Sequence, residues 1–119
     1  RHATQKYLLE IPAGKLAAEE DPELCALREL REETGVEAES LVKLAEFYNS
    51  PGYSSERFHL YLAKIKAIGA MQPDGDEELE MERLILPLTE ALNLVDKGEI
   101  CDAKSIIGLL MTARWLSNR

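Results

Sequence analysis

Residues 14–36, GKLAAEEDPELCALRELREETGV, decide how the rest of the chain is read. Asp21-Pro22 makes a helix start. The aspartate can accept from the orphan amides of a first turn, and proline suits a first helical position, where no amide donor is needed. Gly35 supplies the left-handed residue that ends helices, so the spacing predicts a helix over 22–34. Within it Glu29, Glu32 and Glu33 share one turn directly behind Arg28. Like charges at such spacing repel by roughly 0.2–0.5 kcal/mol per pair, and a helix that served only as solvated surface would interleave lysines. Three converging carboxylates are better explained by a divalent cation that neutralises them. At about 100° per residue, Leu24, Leu27 and Leu30 fall on one arc, expected to pack on a sheet. The glutamates fall on the opposite arc with Cys25 and Ala26 beside them, expected to face a pocket.

Outward from this helix the chain alternates strand and helix patterns. Residues 7–11 (YLLEI) predict a short buried strand stopped by Pro12, and Gly14 stands where backbone turns tightly or approaches a ligand. Residues 40–48 (SLVKLAEFY) and 58–68 (FHLYLAKIKAI) alternate as strands, the second with one wet face. The loop between them, Asn49 to Ser55, is dense in turn residues. Residues 72–82 (QPDGDEELEME) form an acidic loop, and 84–88 (LILPL) predict another short strand. Thr89 is expected to cap a helix over 90–97 that Gly98 ends. Asp102 is expected to cap a last helix over 103–116, with an apolar stripe of Ile106, Ile107, Leu110 and Trp115. The pattern is that of an α/β or α+β chain, without internal repeats.

Composition bounds the function. A chain of 119 residues makes one domain with a real core. Its net charge of −8 argues against a nucleic-acid binder, which needs a basic face for phosphates. An acidic chain still handles an anionic substrate when metal ions carry positive charge into the site. Two cysteines and no secretory signal pattern imply reduced thiols and a cytoplasmic protein, and no apolar run is long enough for a membrane span. The first residue is Arg1, in a polar stretch that runs straight into an apolar strand, so the expectation is a domain whose N-terminal segment is missing.

The spacing around the helix resembles the box of the Nudix hydrolases. Gly14, five residues, Glu20, seven residues, then Arg28-Glu29-Leu30-x-Glu32-Glu33-x-Gly35-Val36 matches that pattern without a departure. The likeness continues through LLEIPAGK, SPGYSSE, DEELE, LPLTEAL and GEICDAKSIIGLL, all similar to the ADP-ribose pyrophosphatases. In that subfamily a proline follows the box by about fifteen residues, as Pro51 does here. The resemblance implies an α/β/α sandwich, a mixed sheet flanked by helices with the box as loop–helix–loop. It implies Mg²⁺-dependent hydrolysis of ADP-ribose to AMP and ribose 5-phosphate, with Mn²⁺ an alternative and two or more ions in the site. Another nucleoside-diphosphate sugar, or a non-catalytic domain that senses ADP-ribose, are the rival readings. A homodimer is implied as well, because the subfamily shares its pocket between subunits. There the segment before the region matched here supplies exchanged strands and packs on adenine.

Carried over residue by residue, the resemblance assigns Glu29, Glu33 and the carbonyl of Ala13 to the metal, oxygen donors suited to a hard cation. A solvated acidic face would also cluster glutamates but would not account for Gly14, Glu20 and Arg28 at their distances. Glu32 is implied as a further ligand or as a proton acceptor for the attacking water. Glu20 approaches the metals or holds its loop. Arg28 is grouped with the substrate side of the site, its expected task being a bidentate pair that orients Glu32 or another carboxylate. In the acidic loop Glu77 and Glu78 are candidates for the general base and Glu80 for a metal ligand, with a solvated charge run as the plain alternative. Gly14, Ser50, Pro51, Gly52 and Ser54 are expected to line the diphosphate and terminal ribose, with Arg1 beside the substrate.

Overall fold

A computed structural model of the 119-residue chain describes residues 11, 19–48, 52, 57–70 and 82–119. The elements are α1 (Pro22–Thr34), β1 (Val36–Tyr48), β2 (Arg57–Ile68), α2 (Leu88–Asp96) and α3 (Ala103–Ser117). The expected strand over 7–11 lies outside the described residues, Ile11 excepted.

The box helix forms as its termini dictate. Asp21 Oδ2 accepts from the amides of Glu23 and Leu24, at 3.0 and 3.3 Å, and Pro22 opens the helix. Gly35 closes it at φ +74°, its amide donating to Arg31 O at 2.9 Å. β1 starts at once after Gly35, earlier than the expected residue 40, because the left-handed residue turns the chain directly into extended backbone.

β1 and β2 pair as an antiparallel ribbon. Lys66 meets Glu37, Lys64 meets Glu39 and Arg57 meets Glu46, so one partner's number rises as the other falls. The two lysine pairs span 3.8 Å on an exposed surface, where such pairs contribute little. Near the loop, the Phe47 and Phe58 rings lie 5.2 Å apart, and the Arg57 guanidinium lies 5.7 Å from the Tyr48 ring centroid.

Two compact units divide these elements. One holds Ile11, residues 46–48 and 57–60, and the packed pair α2 and α3. Its buried residues are Leu60, Ala91, Ile100 and Ser105, with Gly108. Ser105 is fully buried, and its hydroxyl oxygen accepts from the Ile11 amide at 2.9 Å. One turn on, a Cβ at Gly108 would lie 2.9 Å from Ile11 Cδ1, so the small residue allows the close approach. The stripe expected from Ile106, Ile107, Leu110 and Trp115 is therefore not the most buried face of α3, and Leu110 is exposed.

The other unit holds α1 with residues 36–45 and 61–68 of the ribbon. Its buried residues are Cys25, Glu29, Glu33, Gly35 and Val36. Leu24, assigned above to the packed arc, is 60% exposed, whereas Glu29 and Glu33 are each only 9% exposed. Reading faces by hydropathy alone assumes that only apolar surface leaves water; here a hydrogen-bonded charge network does.

Two further expectations change. Residues 82–87 are not a strand: Leu84 and Ile85 are exposed, and extended backbone without a ladder partner is not held as one. Pro87, not Thr89, is the cap residue of α2, which begins at Leu88. Asp102 caps α3 as expected, accepting from the Ser105 amide at 3.1 Å. No described helix is long and apolar enough to cross a membrane.

Candidate active site

The polar centre of the α1 unit is Arg28. Its Nε donates to Glu20 Oε2 and its Nη2 to Glu20 Oε1, both at 3.0 Å. Nη1 reaches Glu29 Oε1 at 2.7 Å and Glu32 Oε2 at 3.4 Å, and Nη2 reaches Cys25 Sγ at 3.7 Å. A guanidinium has five N–H donors, and these five acceptors engage all of them. Arg28 therefore has none left for a substrate phosphate unless one of these bonds breaks. Its bidentate partner is Glu20 rather than Glu32. The Glu20 hydrogen bond, the largest influence, holds the guanidinium pKa above its ordinary range.

Local backbone explains how Glu20 arrives there. Glu19 takes φ +64°, the left-handed region that a side chain enters at a cost of roughly 1–2 kcal/mol. It turns the chain just before Asp21 caps the helix, and the Glu20 carboxylate lands against Arg28, eight residues ahead. The pairing answers the repulsion between carboxylates on α1, since one cation bridges two of them, Glu29 and Glu32, together with Glu20.

Glu29 and Glu33 stand one turn apart on the buried stripe of α1. Glu29 meets Arg28 through Oε1, and its Oε2 is buried as well. Two withdrawn carboxylates, all oxygen donors, suit a hard divalent cation in chemistry. Among the described residues no three His, Cys, Asp or Glu side chains converge as an ion would require. The rest of the expected ligand set, Ala13 and Glu80, lies outside the described residues, as do Arg1, Gly14, Ser50, Pro51, Ser54, Glu77 and Glu78. Gly52 sits in an exposed turn, with open space where a side chain would be.

Cys25 belongs to the same cluster, in keeping with its expected place beside the glutamates on α1. Burial, then the negative charge of Glu20, pushes its thiol pKa up despite Arg28. Cys101 is exposed. Because thiolate is the reactive form, alkylation with iodoacetamide in the native state should modify Cys101 at least about tenfold faster than Cys25, read by peptide mass spectrometry. Equal rates would show that the Arg28 cluster opens readily.

The family model of the NUDIX domain matches residues 1–107. The chain belongs to the Nudix family. Among curated relatives, it is 42% identical to an ADP-ribose pyrophosphatase of Bacillus subtilis over 105 residues, which make up 88% of this chain and 57% of that one. It is 43% identical to a methanol dehydrogenase activator of Bacillus methanolicus, over 92% of this chain and 59% of that one. A GDP-mannose pyrophosphatase of Cronobacter sakazakii is 40% identical, over 84% and 52%. The chain thus spans a little over half the length of these relatives. A solved structure of an ADP compounds hydrolase superposes with a TM-score of 0.80 at 24% identity, covering 99% of this chain and 63% of that one. That likeness carries the fold: the α+β Nudix fold, with Arg28, Glu29, Glu32 and Glu33 on the box helix.

Proposed function

We propose that this Nudix chain is the hydrolytic domain of a pyrophosphohydrolase that cleaves ADP-ribose to AMP and ribose 5-phosphate. The observation that carries the reading is the described part of the box, Glu20 and the helix α1, seen in three dimensions. Glu29 and Glu33 are buried one turn apart, and Arg28 gathers Glu20, Glu29 and Glu32 around one guanidinium. The named activities of two relatives, on ADP-ribose and GDP-mannose, both break a diphosphate joined to a nucleoside and a sugar.

In this reading Glu29 and Glu33, with Ala13 and Glu80, hold Mg²⁺ or Mn²⁺ in two or more sites. Such ions, when bound, activate water and neutralise charge on diphosphate oxygens. The chain's residues do the rest. Arg28 is an orienting residue: it fixes the Glu29 and Glu32 carboxylates and leaves the substrate to others. Glu32, Glu77 or Glu78 takes the proton from the attacking water, and Gly14, Ser50, Pro51, Gly52, Ser54 and Arg1 line the substrate. No covalent enzyme intermediate is implied, since catalysis in this reading comes from positioning and charge neutralisation. The domain is read as a single Nudix unit of a cytoplasmic homodimer.

The GDP-mannose relative supports a second reading, another nucleoside-diphosphate sugar as substrate. Side-by-side turnover of ADP-ribose and GDP-mannose with Mg²⁺ separates the two. A kcat/KM for ADP-ribose at least about tenfold higher is expected; because tenfold corresponds to about 1.4 kcal/mol of transition-state discrimination, parity would refute the ADP-ribose assignment. Tight ADP-ribose binding without turnover would instead identify a sensing domain.

A further inference from the structure

Arg83 is the only lysine or arginine between Gln72 and Leu88, and nothing described so far uses it. Its Nη1 donates to Thr34 O at 2.5 Å and to Gly69 O at 2.8 Å. Thr34 is the last residue of α1, and Gly69 is the first after β2. One nitrogen therefore joins the end of the box helix to the residue that leaves the ribbon. The adjacent backbone makes the same junction: Gly69 N donates to Gly35 O at 2.7 Å, and a Cβ on Gly35 would overlap Gly69 and Ala70. A guanidinium beside the terminal carbonyls of α1 also meets the negative end of the helix dipole.

Gly69 and Arg83 bracket residues 70–82, the stretch that carries Glu77, Glu78 and Glu80. We propose that Arg83 is a positioning residue for the hydrolytic site. It ties both ends of the acidic stretch to the C-terminal end of α1, one residue from Glu33, so that box and loop carboxylates start from one shared anchor. This rests on the hydrolase reading for its effect on turnover, but the tie itself does not. Holding the two ends together restricts the conformations open to the stretch between them. Both bonds leave a single nitrogen, so the single ammonium of a lysine can replace them and a thioether cannot.

The test compares the full chain with R83K and R83M, checking the fold of each by circular dichroism. Cleavage by a glutamyl-specific protease between Gly69 and Arg83 reports the tie, and kcat, KM and the Mg²⁺ concentration for half-maximal activity report the site. R83M is expected to be cut several-fold faster within 70–82. Its kcat should fall by about 10- to 100-fold, the scale of a small misplacement, with a higher Mg²⁺ requirement and little change in KM; R83K should stay near wild type. Unchanged cleavage of R83M overturns the tie. Faster cleavage with unchanged kcat and Mg²⁺ requirement overturns the positioning role, and an R83K as impaired as R83M overturns the single-nitrogen account. If the wild-type protein hydrolyses no nucleoside-diphosphate compound, the hydrolase reading and the positioning role fall, while the cleavage comparison still decides the tie.

Discussion

Replacing Glu33 by glutamine is expected to lower Mg²⁺-dependent turnover of ADP-ribose by about 10²- to 10³-fold, the several kcal/mol that metal-assisted charge stabilisation supplies. Glutamine keeps the shape and one oxygen of the side chain but loses the charge that a hard cation requires. Glu33 is buried one turn from Glu29, on the same helix whose guanidinium is committed to Glu20, Glu29 and Glu32. Removing one charge from this crowded acidic stripe leaves the fold in place, so Tm should move by no more than a few degrees. Any rise in Tm that Mg²⁺ produces in the wild type should shrink in the variant. Turnover, thermal unfolding and ADP-ribose binding measured on the same preparation separate the cases. Wild-type turnover from Glu33→Gln would remove Glu33 from the metal site.

The second large effect is on stability. Gly35→Ala places a side chain at φ +74°, with its Cβ 2.3 Å from Gly69 O and 2.8 Å from both Ala70 C and Ala70 O. The left-handed backbone alone costs roughly 1–2 kcal/mol. Overlap with main-chain atoms, which cannot rotate aside, adds about 1–3 kcal/mol. A loss of about 2–5 kcal/mol follows, which at roughly 4–8 °C per kcal/mol lowers Tm by more than about 8 °C. Gly98 provides the control. It has φ +77° but open space around it, so Gly98→Ala carries only the backbone cost of roughly 1–2 kcal/mol. Equal losses from the two substitutions, measured by urea unfolding, would show that the approach of Gly69 and Ala70 to Gly35 contributes nothing.

These two positions also show how far the sequence could be read. That Gly35 stops the helix follows from its place after a periodic run; that it also admits the backbone of Gly69 and Ala70 does not. Clustered glutamates behind Arg28 announced a polar site, yet hydropathy did not mark the most buried stripe, because Leu24 is exposed and Leu27 and Leu30 are half-buried, whereas Glu29 and Glu33 are buried. Arg28 was legible as an orienting residue, but its bidentate partner was not. The choice of Glu20 depends on one left-handed residue, Glu19, that carries no glycine signal. Arg83 left only a faint trace, a lone cation at the end of an acidic stretch. The strand expected at 84–88 failed because apolar residues around a proline show a preference for extended backbone and say nothing of a ladder partner.

What the sequence determined by itself was what neighbours within one turn decide. Asp21 accepts from amides two and three residues ahead, Gly35 closes the last turn, and the glutamates of α1 repel across three and four positions. Such interactions depend on covalent proximity, so spacing predicts them. The same spacing, matched along the chain, identified the Nudix family. Tertiary structure decided the rest: Arg83 to Thr34 across 49 residues, Ile11 to Ser105 across 94, and which stripe of α1 leaves water. Those contacts depend on where distant segments meet, and on the desolvation cost of each charge being met there by a partner.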